Sequence, residues 1–411
     1  MALIALEEAR AFVLERCRPL DPVQVPLDQA LGRVLATDAV ATDAVPPFAN
    51  TAMDGFAVRA ADVVAATPDR PVRLRVVETI LAGRAPLRWL GRGEAARIMT
   101  GAPVPDGADA VVMVEHTTAI GDDEVDVSEA VREGQHLRRV GEDIRPGDVV
   151  VTRGAAVTPA RVGVLAEMGF DSVLVYPAPR VGVISTGDEL VAGGGPLAAG
   201  QIRDSNRPAL LALTRASGFD AVDLGLVRDD EVAITRVLED GVARCDAVVT
   251  SGGVSMGDVD LVKVILGRLA DMRWMQIAIR PAKPFAFGVF DRVDGGPGVP
   301  VFGLPGNPVS SLVSFELLAR PALRRMAGFD ELDRPRVQAV ADEALTRRPD
   351  GKTHFARVRC IYGDDGRYHA RSAGGQGSHQ LAAMAAADGL AVLPDGHGAA
   401  LGDTAEVILL D

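Results

Sequence analysis

Cysteine is scarce in this chain, and its few thiols are poorly placed for structural chemistry. Only Cys17, Cys245 and Cys360 occur in 411 residues, an odd number with no C-x-x-C pair. This argues against a disulfide framework and against a zinc site built from thiolates. The six histidines never fall at the spacing of metal ligands. Carboxylates, glycines and a few basic residues are left to carry any chemistry.

The chain also lacks net positive charge and long apolar runs. Its formal net charge of −13 argues against a nucleic-acid partner or an anionic membrane surface. An anionic ligand must therefore be held by a local basic patch. No apolar run approaches the roughly 20 residues of a membrane-spanning helix. Residues 1–10 carry acids and show no signal-peptide pattern, so we expect a cytoplasmic protein.

The length of 411 residues and the apolar share of 48% indicate several domains with separate cores. The pattern predicts a multidomain α/β plus β protein. We expect residues 1–45 and 138–178 to form a discontinuous N-terminal mixed domain, with residues 46–137 as an inserted small β domain. Residues 179–327 are predicted as a central α/β domain with a mostly parallel sheet. Residues 328–411 are predicted as a C-terminal β domain, a small barrel or sandwich.

Strand and helix patterns alternate across the central domain. Strands are predicted at residues 181–184, 221–227, 247–250, 276–279 and 299–302. Helices are predicted at residues 208–217, 231–244, 259–269 and 308–326. Near the N-terminus, residues 3–16 are predicted as an amphipathic helix and residues 27–35 as a second short helix. In such a sheet the ligand lies beyond the carboxyl ends of the strands.

The most informative segment is a glycine loop between a predicted strand and a predicted helix. Gly252 and Gly253 lie in the loop, and Asp258 and Asp260 follow shortly after. Glycines let the backbone approach a ligand closely, and amides before a helix favour an anion. Carboxylates behind such a loop favour a metal ion that bridges to phosphate. The segment predicts a phosphorylated-ligand site; the alternative is a tight turn followed by solvated acids.

Two more loops are predicted at the same edge of the sheet. Residues 185–189 follow one strand and residues 303–307 follow another, with Asn307 as N-cap and Pro308 at the first helical position. Arg280 and Lys283 lie beside prolines after a further strand. Each segment alone has a structural alternative, namely a plain turn, simple capping or a solvent-facing edge. Three loops on one edge favour a ligand site over these alternatives.

Together these segments resemble a known family over essentially the whole chain. The motifs are residues 47–57 (PFANTAMDGFA), 98–103 (IMTGAP), 141–144 (GEDI), 185–190 (STGDEL), 251–260 (SGGVSMGDVD), 283–288 (KPFAFG) and 303–310 (GLPGNPVS). One such match is weak, but seven in the family's order are highly specific. The chain resembles the molybdopterin molybdenumtransferases of the MoeA type, which share their fold with the E domain of gephyrin.

The resemblance implies an elongated homodimer of four-domain subunits. The implied reaction is the magnesium-dependent insertion of molybdate into adenylylated molybdopterin, with release of AMP. The implied catalytic cleft lies between the α/β domain of one subunit and the region that carries Asp54 and Thr100 in the other. A transient contact with a molybdopterin adenylyltransferase is also implied. The substrate's own dithiolene sulfurs bind molybdenum, so the protein needs no nucleophile.

The same resemblance assigns roles to individual residues. The catalytic positions are Asp54, Thr100, Asp143, Glu189, Asp229 and Asp260, of which Glu189 and Asp260 are assigned to Mg²⁺. The substrate-binding positions are Gly252, Gly253, Ser255, Asp258, Arg280, Lys283, Pro305, Gly306, Asn307, Pro308, Ser310, Arg357 and Ser378. From the chemistry of these groups, we expect the amides of Gly252 and Gly253 and the Ser255 hydroxyl to bind the pterin phosphate. We expect the cations Arg280, Lys283 and Arg357 to attract molybdate.

The chain departs from the family at two cationic positions, and two other functions fit part of its pattern. Gln276 and Arg280 stand where relatives often carry lysine. Arginine keeps the charge as a planar fork, whereas glutamine removes it. A molybdopterin adenylyltransferase would share the α/β fold, but the N- and C-terminal domains and the Asp54 motif argue against it. A non-catalytic scaffold would share the whole fold, but the complete acidic cluster argues against that alternative.

Overall fold

The structure, a computed structural model, describes residues 3–252, 261–292 and 295–410. The chain divides into two compact units. The large unit comprises the described residues of Met1–Thr37, Gly154–Thr158 and Ser172–Asp411. The small unit comprises Asp38–Arg153 and Pro159–Asp171. The finer division into four domains stays a prediction.

The strands are numbered in chain order. Residues up to 178 contain β1 (Val23–Pro26), β2 (Val34–Leu35), β3 (Ala39–Val40), β4 (Asn50–Thr51), β5 (Gly55–Val58), β6 (Val72–Ile80), β7 (Glu94–Ile98), β8 (Ala110–Met113), β9 (Thr117–Ile120), β10 (Glu124–Val127), β11 (Leu137–Arg138), β12 (Val149–Val151) and β13 (Ser172–Tyr176). Residues 179–327 contain β14 (Arg180–Thr186), β15 (Leu190–Val191), β16 (Ile202–Arg203), β17 (Asp220–Val227), β18 (Ala247–Ser251), β19 (Asp271–Gln276), β20 (Ile279–Arg280), β21 (Pro284–Phe290) and β22 (Val299–Leu304). The remaining residues contain β23 (Arg336–Ala341), β24 (Leu345–Thr346), β25 (Thr353–Tyr362), β26 (Tyr368–Ser372), β27 (Gly389–Leu393), β28 (Gly398–Ala399) and β29 (Thr404–Leu409).

The α-helices are α1 (Leu6–Arg16), α2 (Ala60–Val63), α3 (Pro159–Glu167), α4 (Asn206–Ala216), α5 (Glu231–Arg244), α6 (Leu261–Leu269), α7 (Pro308–Ser314), α8 (Arg320–Met326) and α9 (Leu381–Ala385). A π-helical turn over Phe315–Ala319 joins α7 to α8. No described helix is long and apolar enough to cross a membrane.

A six-stranded sheet in the order β17-β14-β18-β22-β21-β19 forms the centre of the large unit. The strands β17, β14, β18 and β22 are parallel, whereas β21 and β19 run antiparallel to their neighbours. Successive side chains of a strand face opposite sides. Val249 therefore packs into one core with α4 and α7, while Val248 packs into another with α5 and α6. This confirms the prediction of a mostly parallel sheet covered on both faces.

Two local predictions were wrong. Residues 276–279 are not one strand, because β19 ends at Gln276 and the chain then leaves the central sheet to pair β20 with β25. The strand β21 was missed because its residues are almost all buried and show no alternation. Residues 27–35 are not a helix: a single 3₁₀ turn over Leu27–Gln29 ends before Gly32, whose φ of +76° belongs to a turn, and β2 follows.

The C-terminal part of the large unit is a closed barrel rather than a sandwich. The sheet order is β20-β25-β26-β23-β29-β27, and an additional pairing of β25 with β27 closes the five strands β25–β26–β23–β29–β27. Small buried residues such as Ala339, Ala391 and Ala405 line its core. Because β20 adds to β25, the segment that carries Arg280 is held at the barrel wall.

The small unit is built on a sheet of order β8-β5-β7-β6-β10-β9. The strand β5 is buried throughout and begins directly after Asp54. Only glycine fits its first position, because a Cβ on Gly55 would overlap the carbonyl oxygen of Val112 on β8. The neighbouring backbone therefore holds Asp54 in a defined place at the entrance to β5.

Candidate functional site

Three glycine loops meet where the adjacent parallel strands β14, β18 and β22 end. The Gly252 N–H donates to the Leu304 carbonyl at 3.1 Å, which joins the second loop to the third. A Cβ on Gly252, whose φ is +98°, would lie 3.2 Å from the Thr186 carbonyl oxygen of the first loop. A Cβ on Gly306 would lie 4.0 Å from the Cα of Gly252. The predicted convergence of the loops is therefore present.

Carboxylates gather beside the first loop. Gly187 has a φ of +148°, and a Cβ there would lie 2.5 Å from Glu189 Oε2, so the Glu189 side chain folds back over the turn. The Asp229 N–H donates to Asp188 Oδ1 at 3.3 Å. Partial burial, the charge of Asp188 and then that of Glu189 raise the pKa of the exposed Asp229 carboxyl. Negative charge is thus concentrated at the end of β14.

A cationic cavity of about 300 Å³ lies next to the third loop. It is lined by Arg280, Lys283, Asn307, Ser310, Lys352, Gln376 and Ser378, with Ile279, Pro281, Ala282 and Pro284. The Val309 N–H donates to the Ser378 carbonyl at 3.1 Å, which ties the barrel to the start of α7. The chain has only three lysines, and two of them line this one cavity. The arrangement suits a small oxyanion.

A second cavity of about 210 Å³ shares Arg280, Pro281 and Gln376 with the first. Arg357 lines it, although the residue is only 1% exposed, and its side chain donates to the carbonyls of Gly375 and Gly377 at 2.8 and 3.1 Å. Burial, and secondarily the charge of Arg280, lower the pKa of Arg357. In this chain Arg357 therefore anchors the loop that carries Gln376.

A larger cavity of about 740 Å³ lies away from these loops. Arg180, Asp220 and Asp246 line it, and these residues lie at the amino ends of β14, β17 and β18. Ligands of parallel α/β sheets bind at the opposite, carboxyl edge. Size therefore does not identify the candidate site here, whereas strand direction does.

Comparison with known proteins identifies the family. Residues 4–169 match the MoeA N-terminal region (domain I and II), residues 182–325 a probable molybdopterin binding domain, and residues 338–410 the MoeA C-terminal region (domain IV). The chain is 42% identical over 398 residues to molybdopterin molybdenumtransferase 2 of Mycobacterium tuberculosis, with 95% of each chain covered. The chain belongs to the MoeA family.

Two further relatives agree with this assignment. The molybdopterin molybdenumtransferase of Haemophilus influenzae is 36% identical over 398 residues, with 96% of each chain covered. The crystal structure of the molybdopterin biosynthesis moeA protein from Pyrococcus horikoshii OT3 superposes with a TM-score of 0.81 at 29% identity, covering 99% of this chain and all of that one. The MoeA architecture thus extends over the whole chain.

The MoeA motif of the small unit forms a compact hydrogen-bonded turn. Asp54 Oδ1 accepts from both the N–H and the hydroxyl of Thr100, each at 2.7 Å. These two bonds, the backbone one first, lower the pKa of Asp54, so the carboxylate is ionised at neutral pH. Asp143 lies in a different turn of the same unit, where its N–H donates to the Val45 carbonyl at 3.0 Å.

Part of the predicted site lies outside the described residues, namely Gly253, Ser255, Asp258 and Asp260. Within the described ranges, no group of three or more His, Cys, Asp or Glu side chains is arranged to hold a metal ion. The Gly252 N–H is engaged with Leu304, so it does not face a phosphate as expected. Gly252 serves instead for close approach of the loops.

One predicted position of the third loop, Pro308, has a structural role besides its predicted binding role. Pro308 occupies the first helical position of α7, as expected, but the Asn307 side chain makes no capping bond. Asn307 lines the cationic cavity instead. Pro305 precedes Gly306 in the third loop, directly after β22.

Sequence reasoning missed three residues of the site: Asn206, Lys352 and Gln376. Asn206 begins α4 and contacts both the second and the third loop. The polar run Asp204–Ser205–Asn206 before a predicted helix was a usable signal for it. Lys352 and Gln376 lie in turns of the barrel and line the cavity beside the third loop, although they are far from that loop along the chain. Nothing in their local sequence indicates that placement.

Proposed function

We propose that this chain is a molybdopterin molybdenumtransferase that inserts molybdate into adenylylated molybdopterin and releases AMP in molybdenum cofactor biosynthesis. One observation carries the assignment beyond family membership. Glycine loops for a phosphorylated ligand lie directly beside a cavity with three cations, Arg280, Lys283 and Lys352. A pterin phosphate and a separate oxyanion thus have adjoining places.

The cationic cavity is the proposed molybdate pocket. Molybdate is a tetrahedral dianion, and charge-assisted hydrogen bonds from guanidinium and ammonium groups bind such anions strongly. Ser310 and Ser378 add polar groups to the same cavity. Lys352 is ion-paired with Asp350 at 2.8 Å, and this contact is the largest cause that lowers the pKa of Asp350 to about 2. The pair keeps Lys352 in place while its other N–H groups remain donors.

Lys352 is also relevant to Gln276, which stands at a position where relatives often carry lysine. That side chain is buried in β19, so the chain has no cation there. Lys352 reaches the cavity from the barrel because β20 pairs with β25 immediately after it. We propose that Lys352 supplies a charge that relatives obtain from the strand before Pro281.

The protein's own thiols take no part in the proposed reaction. Burial raises the pKa of Cys17 to about 12 and also raises the pKa of Cys245 and Cys360. These thiols stay protonated and are poor ligands. The dithiolene sulfurs of the substrate are the ligands of molybdenum. The work of the protein is to position two anions and to manage their charge.

Magnesium fits the carboxylates beside the first loop. Mg²⁺ binds through one or two carboxylates together with substrate phosphates and water, so a cluster of three protein ligands is not required. The raised pKa of Asp229 marks crowded negative charge next to Glu189, which a divalent cation offsets. Glu189 with Asp229 or Asp260 would hold the ion; Asp260 lies outside the described residues. Bound there, Mg²⁺ would neutralise charge on the departing phosphate.

Asp54 and Thr100 are proposed to act in a homodimer, with each cleft completed by the partner's small unit. The ionised Asp54, fixed by Thr100, is suited to order water or the pterin. Asp143, from a different turn of the same unit, is proposed to belong to the same acidic cluster as Asp54. We further propose a cytoplasmic location and a transient contact with the adenylyltransferase that supplies the substrate.

The deciding experiment uses the purified protein with adenylylated molybdopterin and molybdate, with and without Mg²⁺. We expect AMP release and active cofactor, measured by reconstitution of an apo-molybdoenzyme, only when Mg²⁺ is present. A parallel incubation with molybdopterin, ATP and Mg²⁺ should form no adenylate. Adenylate formation would identify an adenylyltransferase instead, and an absence of any pterin turnover would favour a scaffold.

The shared cleft has its own test. Asp54→Asn and Glu189→Gln subunits are each expected to be inactive alone. When they are mixed and allowed to exchange, random pairing should restore roughly one quarter of wild-type activity, because one cleft of each mixed dimer is intact. Activity that stays absent after exchange would place both side chains in the same subunit's cleft.

A further inference from the structure

A single side chain bridges the second and third loops. Asn206 Nδ2 lies 2.7 Å from Ser251 Oγ at the end of β18 and 2.7 Å from the carbonyl oxygen of Gly306 after β22. The Gly306 carbonyl only accepts hydrogen bonds, so the nitrogen of the amide must face it. Both N–H groups of the amide are then used, one for each loop.

The position of Asn206 is itself held by buried charge. Asp204, whose side chain is 1% exposed, accepts from the Ser185 hydroxyl on β14 at 3.1 Å. It also accepts from the N–H and Nε of Arg207, at 3.1 and 2.9 Å. Arg207 also donates a hydrogen bond to Asp223 on β17. The segment from Asp204 to Arg207 is thus fastened to two strands of the sheet.

We propose that Asn206 is a positioning residue that holds the Ser251–Gly252 loop and the Pro305–Gly306 loop together for the phosphate-bearing substrate. This role depends on the proposed function only for the identity of the ligand, because the bridge exists in the protein alone. Besides Asn206, the bond from the Gly252 N–H to the Leu304 carbonyl joins the same loops. Removing the bridge leaves that bond to open more often.

The bridge has a second consequence for Ser251. Because the Ser251 oxygen accepts from Asn206, its own proton is left to donate elsewhere. A hydroxyl oriented in this way is a donor for an anion at the edge of the sheet. Without Asn206 the Ser251 hydroxyl can rotate, and its proton is no longer held in the direction of an anion at the edge of the sheet.

The test compares Asn206→Ala and Asn206→Asp with the neighbouring control Ser205→Ala, whose side chain makes no capping bond. Aspartate keeps the shape of asparagine but has no N–H to donate. Hydrogen–deuterium exchange reports the bridge directly through the Gly252 amide. Loss of the two bonds should speed exchange there about tenfold in both Asn206 variants, with no change in Ser205→Ala. Exchange on β14 is the internal reference for the fold.

Turnover gives a second readout. We expect the Asn206 variants to raise KM for the adenylylated pterin about tenfold and to leave KM for molybdate unchanged. The proposed bridge would be refuted if the Gly252 amide exchanged at the wild-type rate in both Asn206 variants. It would also be refuted if Asn206→Asp alone showed the wild-type exchange rate. If the wild-type protein converts no adenylylated pterin, the proposed function fails, while the exchange measurement still decides the bridge. Unchanged KM values with faster exchange would remove the substrate role.

Discussion

Replacing Asp204 by asparagine should destabilise the central sheet and loosen the site in one step. The side chain of Asp204 is 1% exposed and forms an ion pair with Arg207 at 2.9 Å. The substitution keeps the shape and removes the charge. Arg207 is then left with Asp223, whose side chain is 46% exposed, as its charged partner in this network.

The burial of the two partners sets the size of the effect. Removing one partner of a fully buried ion pair costs about 3–5 kcal/mol, because the other charge is left unpaired. Here Asp223 remains to compensate Arg207, so we expect the lower end of that range, about 3 kcal/mol. The exposed pair Arg244–Asp240 provides a matched control. There, Asp240→Asn should cost less than about 0.5 kcal/mol.

Tryptophan fluorescence can follow the central sheet by itself. The chain has two tryptophans, Trp274 on β19 and Trp89, which is 71% exposed in the small unit. In a Trp89→Phe background, urea denaturation read through Trp274 reports the large unit. A loss below about 1 kcal/mol for Asp204→Asn, or one equal to that of Asp240→Asn, would refute the role given to the buried charge.

Three further outcomes are expected. Lys352→Met should raise KM for molybdate by about tenfold or more, since it removes a charge-assisted donor. Lys263→Met, which removes a lysine over the Trp274 ring that does not line the cavity, should leave this KM unchanged; equal KM values in steady-state assays would remove Lys352 from the pocket. Chelation of Mg²⁺ should stop AMP release without shifting the melting temperature of the substrate-free protein; persistent turnover would exclude the ion. Hydrogen bonds to Asp342 and then Asp365 raise the pKa of His369, so its stabilising contribution is complete below about pH 6.5 and disappears as pH rises through the raised pKa. Melting temperatures of wild type and His369→Gln should therefore differ at about pH 5.5 and converge at about pH 8.5 or higher; a constant difference would contradict this.

Much of the fold could be predicted because its signals are local. The alternation of strands with helices identified β14, β17, β18 and β22, and the helix α5 was predicted with its observed bounds. The predictions of secondary structure failed where the local sequence carries no clear periodic signal. The strand β21 is buried on both faces and so shows no period of two, and residues 27–35 contain a glycine whose positive φ interrupts the helical spacing.

Some residues of the candidate site could likewise be predicted from the sequence, whereas others could not. Gly252, Glu189 and Gly306 were predicted because the ends of parallel strands carry the ligand loops of such sheets. Their mutual contacts are visible only in the structure, which also shows that the Gly252 amide is engaged with Leu304 and that Arg357 is a buried anchor. Asn206 and Lys352 escaped prediction because each acts across a long stretch of chain.

By itself, the amino-acid sequence determined the family and the class of fold, and it predicted the chemical character of the ligand. Motif order, glycine position and the lack of useful thiols are all properties of a linear string. Tertiary structure alone decided which groups meet. The hydrogen bonds of Asn206 reach Ser251 and Gly306, which are 45 and 100 positions away along the chain. The strand pairing that brings Lys352 beside Arg280 spans about 70 positions. Such contacts depend on strand order and register, which local residue preferences do not specify.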